Sequence, residues 1–386
     1  MKIISVVGAR PNFMKIAPFI RAISAFNQTS GVHDKIDHIL VHTGQHYDER
    51  MSKNFFRELS IPEADINLDV GSGTHAEQVG YTMIEFEKVL KNEKPDWVVV
   101  VGDVNATLAC SITSKKEMVK VCHIEAGLRS GDITMPEEVN RMVTDRLSDL
   151  LLTPDNLSSE NLRNEGTSEE RIVFVGNIMI DTLEALRKKA ECLSINRIVN
   201  SNLLESYRGK PTIPSDENYV LMTIHRPSNV DSIEVFEPLI RFILEEVTKD
   251  LILIWPIHPR TLKQLKLCNL FDEIANHRNL LLLEPLGYLE MLRLNMGARI
   301  MLTDSGGLQE ECTVLGTPCL TLRWNTERPI TLQENGGASV LVGNNLKRIR
   351  EEYVKALAEV RHPRRPPLWD GHTGERCLKA IVNARF

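Results

Sequence analysis

The feature that most constrains the fold is a series of short, unbroken apolar runs, each closed by a turn and followed by an amphipathic stretch. In the first half these are Ile3–Val7, His38–His42, Trp97–Val101, Val119–His123, Leu150–Thr153 and Ile172–Val175. In the second half they are Tyr219–Thr223, Leu251–Pro256, Leu280–Leu283, Ile300–Leu302, Cys319–Leu322 and Ser339–Val342. Runs that are apolar throughout, rather than at alternate positions, suit strands buried on both faces of a parallel sheet. Between them the pattern changes period. After Pro11, for example, Phe13, Ile16, Ile20 and Ile23 fall at a 3-4-3 spacing along one helical face. Strands alternating with helices predict an α/β chain with right-handed crossovers.

A length of 386 residues is too much for one ordinary domain and suits two. The expected division is residues 1–178 and 179–367, each Rossmann-like. The break falls after Val175–Gly176–Asn177, and a polar segment, Gly209–Asn218, precedes the next strand. His362–Pro367 is a Pro/Arg-rich turn, and residues 368–386 are expected to end as a helix that returns to the first domain. The net charge of -6 argues against broad contact with nucleic acid or an anionic membrane. No apolar run approaches the roughly 18–20 residues of a membrane span. Seven scattered cysteines without a C-x-x-C pair read as free thiols. The expected location is the cytoplasm.

Ligands of doubly wound sheets bind at the carboxyl ends of the strands, so the residues after each run carry the functional argument. In the first half they are Gly8–Ala9–Arg10–Pro11 with Lys15 one turn later, Thr43–Gly44–Gln45–His46, Gly102–Asp103 and Glu125–Ala126–Gly127. In the second half they are His225–Arg226, His258, Glu284–Pro285 and Thr303–Asp304–Ser305–Gly306–Gly307. Acid, base and imidazole groups thus gather at one end of both predicted sheets, which predicts a ligand cleft between them. Ser305–Gly306–Gly307 before a helical run either bares a helix N-terminus to an anion or is a simple N-cap. Glu310 and Glu311 follow on the first turn, and Arg328 is either a diphosphate clamp or a solvated arginine. Asp103, Glu125 and Glu137, with Arg10 and His225, suit reversible proton transfer, since burial and mutual repulsion raise a carboxylate pKa. Glu138 reads equally as a cap, with Arg141 one turn on. His42 and His46 straddle a strand end and a glycine turn, which disfavours a metal, and His123 reads as a satisfied core residue. No G-x-G-x-x-G follows the first strand and no G-x-x-x-x-G-K-[ST] occurs. No cofactor and no metal are expected.

Ten segments taken together resemble the non-hydrolysing UDP-N-acetylglucosamine 2-epimerases. They are Gly8–Pro18, His42–Met51, Gly102–Ala109, His123–Ser130, Met135–Arg141, Val175–Leu183, Thr223–Asn229, Pro256–Thr261, Thr303–Glu311 and Asn325–Pro329. The resemblance implies a GT-B-type arrangement and reversible interconversion of UDP-GlcNAc and UDP-ManNAc. In that chemistry UDP is eliminated to a 2-acetamidoglucal and re-added, without redox cofactor or metal. It implies a homodimer. By matching position it makes Arg10, Asp103, Glu125, Glu137 and His225 the catalytic set. Lys15, Ser305, Gly306, Gly307, Glu311 and Arg328 become nucleotide contacts, Arg141 lies on the substrate side, and His258 is a helper.

The chain departs from many bacterial members of that family. It reads His225–Arg226–Pro227–Ser228 after the strand, and Ile330 after Arg328–Pro329. Segments His46–Met51 and Val70–His75 also differ from the pattern of members regulated by a second UDP-sugar, so weak or absent activation by UDP-GlcNAc is expected. Two rival readings are an epimerase of UDP-2,3-diacetamido-2,3-dideoxyglucuronic acid and a GT-B glycosyltransferase.

Overall fold

The computed structural model describes residues 1–29, 31, 34–44, 62–205 and 218–384, and at Arg10 and Pro11 it describes the backbone only. Gln45, His46 and nearly all of the polar stretch from Gly209 lie outside these residues. Contacts divide the chain into two units, Met1–Ala185 with Pro366–Phe386, and Leu186–Arg365.

The first unit is built on a parallel sheet of β1 (Lys2–Val7), β2 (Asp37–His42), β3 (Ile66–Asn67), β4 (Trp97–Val101), β5 (Lys120–Ile124), β6 (Leu150–Thr153) and β7 (Ile172–Phe174). Their spatial order is β3-β2-β1-β4-β5-β6-β7. Every residue of β4 is buried, as an all-apolar Trp-Val-Val-Val-Val strand in the sheet centre requires. Six of these strands match the apolar runs. β3 was not anticipated: it is a two-residue edge strand, too short to leave a pattern.

Among the described residues of this half of the chain there are six α-helices: α1 (Arg10–Thr29), α2 (His75–Glu93), α3 (Asn105–Lys116), α4 (Pro136–Leu147), α5 (Asn156–Asn164) and α6 (Ile178–Glu191). On α1 the apolar face Phe13, Ile16, Ile20 and Ile23 is buried. Pro18 lies inside that helix and has no N–H to give to Met14. The freed Met14 carbonyl accepts instead from the Thr182 hydroxyl of α6, at 2.6 Å. The helix Thr373–Asn383 packs on α1 and buries Cys377, Leu378 and Ile381. Trp369, just before it, is buried and donates from Nε1 to Pro154 O at 3.0 Å.

The second unit repeats the plan with β8 (Tyr219–Thr223), β9 (Ile252–Pro256), β10 (Leu280–Leu283), β11 (Ile300–Thr303), β12 (Cys319–Thr321) and β13 (Ser339–Leu341). The order is β10-β9-β8-β11-β12-β13, all parallel. Val220, Met222, Leu253 and Trp255 face one core, while Tyr219, Leu221 and Ile254 face the other. Two apolar faces are why these strands read as unbroken runs. Both units are therefore α/β with parallel sheets. In each, the order reverses direction beside the first strand, between β1 and β4 and again between β8 and β11. Such a reversal opens a crevice at the carboxyl edge, the ordinary ligand position of doubly wound sheets.

Candidate active site

At the first switch point the turn after β1 is built around Asn12. Its Oδ1 accepts from Ala9 N at 3.0 Å, and its Nδ2 donates to Val101 O at 2.7 Å, joining the ends of β1 and β4. One turn into α1, Lys15 is buried and pairs with Oε2 of Glu125, which leaves β5 with φ of 72°. The other carboxylate oxygen, Oε1, is buried and has no hydrogen-bond partner among the described residues. Gly102, at φ +70°, lies against this pair: a Cβ there would sit 3.1 Å from Lys15 Nζ. The position therefore demands glycine for both its backbone angle and its space.

Asp103 follows directly, and Arg141 of α4 grips its Oδ2 through Nη2 at 2.7 Å and Nε at 3.0 Å. The same guanidinium pairs with Glu138, whose oxygens also accept from Ser130 N and Gly131 N at 2.9 Å. Glu138 thus holds the loop after β5 onto α4, which is more than a cap. Glu137, its neighbour, is exposed on the first turn of α4 and has no bonded partner among the described residues. Arg10 opens α1, and its side chain lies outside the described set.

Beneath these loops runs a buried support. His123 on β5 contacts Asp145 Oδ1 through Nδ1 at 2.6 Å and Gly102 O through Nε2 at 2.9 Å. Asp145 Oδ2 accepts from Gly127 N at 3.0 Å and Arg129 Nη1 at 2.7 Å. Burial alone pushes the Asp145 carboxyl up, but His123 and Arg129 outweigh it and hold it below the usual range. His123 is a satisfied core residue, as its place in the strand suggested.

At the second switch point the centre is Asp304, fully buried after β11. Its Oδ2 accepts from His225 N at 2.9 Å, Arg226 N at 2.8 Å and Asn229 Nδ2 at 3.0 Å. Its Oδ1 lies 2.9 Å from His225 Nδ1. Burial disfavours the charge, yet the His225 ring and these N–H donors hold the carboxyl below its ordinary value. The His225 ring is partly exposed and lies 5.4 Å from that of His258, centroid to centroid. His258 caps the helix Pro259–Leu267 by accepting from Arg260 N at 3.1 Å. Burial and the neighbouring His225 push its pKa down.

Ser305 precedes the helix Gly306–Leu315 without a side-chain cap, so the helical N–H groups there are left without that acceptor. The two glycines differ. A Cβ on Gly306 would meet Arg328 Nη1 and Glu327 Oε1 at 2.7 Å, whereas one on Gly307 would meet nothing within 4 Å. Gly306 admits a side-chain ion pair, and Gly307 faces open space. Arg328 is buried, donating from Nε to Glu310 Oε1 at 2.7 Å and pairing with Glu327. Arg323 binds Glu327 Oε2 at 2.6 Å. Glu311 is buried beside Tyr288 and Asn295, and burial raises its carboxyl to about 7.

Sequence reading named both histidines, the glycines and the acids, but gave no role to Asp304, Asp145 or Asn12. Only the position of Asp304 immediately after a strand offered a signal. Among the named residues, the structure joins Lys15 with Glu125, Asp103 with Arg141, and His225 with His258.

Comparison with known proteins places this geometry. The sequence profile of the family UDP-N-acetylglucosamine 2-epimerase matches residues 30–382. The UDP-N-acetylglucosamine 2-epimerase of Methanocaldococcus jannaschii is 41% identical over 100% of both chains. A crystal structure of the Methanocaldococcus jannaschii UDP-GlcNAc 2-epimerase in complex with UDP-GlcNAc and UDP superposes with a TM-score of 0.87, covering 99% of each chain. The fold is thus of the GT-B-like class. The UDP-2,3-diacetamido-2,3-dideoxy-D-glucuronate 2-epimerase of Pseudomonas aeruginosa is 37% identical over 89% of this chain and 88% of the other. A profile that spans most of the sequence and a relative aligned from end to end establish that this chain belongs to the UDP-N-acetylglucosamine 2-epimerase family.

Proposed function

We propose that the protein interconverts UDP-GlcNAc and UDP-ManNAc by inverting C2 of the sugar. A base removes the C2 proton as the C1–O bond breaks, and that bonding pair leaves with UDP. The resulting 2-acetamidoglucal takes a proton at the opposite face of C2 while a diphosphate oxygen of UDP re-forms the bond to C1. Atoms and electrons balance without an oxidant or reductant. The observation that carries the reading is the chemical division between two switch points, carboxylates at one and imidazoles with a glycine-opened helix N-terminus at the other. It occurs in a chain with an end-to-end relative of that name.

In this reading Asp103 and Glu137 share proton transfer. Arg141 keeps Asp103 in place, while the exposed Glu137 is placed to exchange protons. Glu125, Arg10 and His225 support the sugar and the leaving diphosphate, with His258 beside His225. Lys15, Ser305, Gly306, Gly307, Glu311 and Arg328 serve the nucleotide, the helix N–H groups attracting phosphate. Because Arg328 is already paired with Glu310 and Glu327, its contribution is to shape the turn as well as to add charge.

The test is proton NMR of the protein with UDP-GlcNAc in deuterated water. Growth of UDP-ManNAc carrying deuterium at C2, with no free ManNAc, is expected. A second tube holds UDP-2,3-diacetamido-2,3-dideoxyglucuronic acid, the substrate type named for the Pseudomonas relative. Exchange in that tube alone would transfer the mechanism to the uronate, and bound UDP without exchange in either would favour a glycosyltransferase. UDP-ManNAc supplied alone is expected to turn over without prior addition of UDP-GlcNAc.

We also propose a cytoplasmic homodimer. Tyr81 and Ile84 on α2, with Val139, Met142 and Val143 on α4, are exposed apolar side chains of the kind that partners cover. Among the described residues no helix is long and apolar enough to cross a membrane, and the cysteines are free thiols. Light scattering of native protein and of Met142→Glu tests the dimer, the variant being expected to elute as a monomer.

A further inference from the structure

The donors around Asp304 constrain the proton on His225. Oδ2 is surrounded by three N–H groups, from His225, Arg226 and Asn229, so an acceptor is required at that position. Oδ1, on the other side, has no aligned hydrogen bond among the described residues, but lies 2.9 Å from His225 Nδ1, too close for two facing lone pairs. An ionised carboxylate only accepts, so the ring must carry hydrogen on Nδ1. Nε2 is then the nitrogen left for chemistry, on a ring that is partly exposed. His258 is held in the opposite sense. Its Nδ1 accepts from Arg260 N, which puts its hydrogen on Nε2. Two adjacent rings thus offer unlike nitrogens, one a lone pair and the other an N–H.

We propose that Asp304 is a positioning residue that fixes both the rotation and the tautomer of His225. Nε2 of His225 thereby becomes the one ring atom that exchanges a proton or a hydrogen bond with substrate. The proposal rests on the reading of His225 as a participant in the epimerisation. When Nε2 takes a proton, the buried carboxylate stabilises the positive ring, and the ring returns that proton from the same atom. A buried aspartate behind an imidazole serves this end in unrelated enzymes.

Asp304→Asn separates orientation from architecture. The three donors keep the amide oxygen on their side, so the amide nitrogen occupies the place of Oδ1 and faces Nδ1. That nitrogen donates, so His225 must accept at Nδ1, and its hydrogen moves to Nε2. Shape and backbone ties survive while the tautomer inverts.

Nitrogen-15 NMR of the histidine rings in the full chain, at alkaline pH and assigned by loss of the signal in His225→Asn, reads this directly. Native His225 is expected to be protonated at Nδ1, and the Asp304→Asn protein at Nε2. Turnover of the variant should fall by roughly 100-fold or more, with KM changed by less than about threefold. In a His225→Asn background the same substitution should cost less than about twofold, because its route of action is gone. A native ring protonated at Nε2 would overturn the proposal. So would equal losses from Asp304→Asn in both backgrounds, which would show that the aspartate acts as structure alone. Undiminished turnover in His225→Asn would instead remove the underlying role of the histidine, and with it the function the aspartate is proposed to serve.

Discussion

Glu311 shows how a single buried carboxyl couples folding to pH. Burial raises it to about 7, whereas in the unfolded chain a glutamate ionises near about 4.3. Between those values the folded state keeps a proton that the unfolded state has lost. The stability tied to this group is complete below the unfolded value and is lost as pH rises through the folded one. Glu311→Gln removes that dependence. Relative to native protein it should gain on the order of 3 kcal/mol on going from about pH 4 to about pH 8, read from denaturant midpoints. Parallel pH profiles for the two proteins would show that Glu311 ionises normally. The two glycines beside it make a second contrast. Gly306→Ala must displace Arg328 or Glu327 and should lower thermal stability, while Gly307→Ala has open space and should not. If Gly307 receives phosphate, its alanine variant should lose about tenfold or more in UDP affinity by calorimetry with its melting point intact. The types of these residues were legible in the sequence because Ser-Gly-Gly after a strand has few uses. The pairing of Gly306 with Arg328 was not, since the contact spans two turns of chain that no local rule connects.

Among the elements, α4 is the most burdened. Within three turns it carries Glu137 and Glu138, Arg141 that grips Asp103, and Asp145 that holds Gly127 and Arg129. His123 completes the link by joining Asp145 to the Gly102 carbonyl. One helix therefore sets the spacing of the loops after β4 and β5. His123→Ala leaves both Asp145 and the Gly102 carbonyl short of a partner inside the core. We expect a stability loss of about 3 kcal/mol or more by chemical denaturation, and a loss of turnover that exceeds any change in KM. Full stability in that variant would show that water replaces the ring. The strands were readable because burial on both faces leaves an apolar residue at every position. Two-residue β3 was invisible, as an edge strand that short carries no pattern. The His123–Asp145 link was invisible for a different reason: its partners lie 22 residues apart and meet only once the sheet and α4 have packed.

For the whole molecule, the first sheet follows the strand order of the second and adds one edge strand, β7, and each carries candidate site residues where that order reverses. The alternation of apolar runs with helical stretches reported this twofold plan. What it did not report was how deeply the last residues are built into the first unit. Trp369 fills a buried site and donates to Pro154, Gly374 N donates to Asp181 at 2.7 Å, and Arg376 donates to Val175 O at 2.6 Å. Trp369→Ala should destabilise that unit by about 3–5 kcal/mol. The expected signature is a lower first melting transition, with the transition of the second unit unchanged. A single transition shifted as a whole would mean that the units unfold together.

The path of the chain also orders its birth. Residues 186–365 form a continuous stretch, whereas the first unit is interrupted and recovers its final helix only in the last residues. A polypeptide leaves the ribosome from its N-terminus, and domains tend to fold as they emerge. Here the later-made unit is the first to be complete, and the earlier one waits with the groove along α1 uncovered until the helix Thr373–Asn383 has emerged. During that interval the nascent chain exposes apolar surface for chaperones to shield. An artificial join from Ala185 to Pro366 would remove the wait.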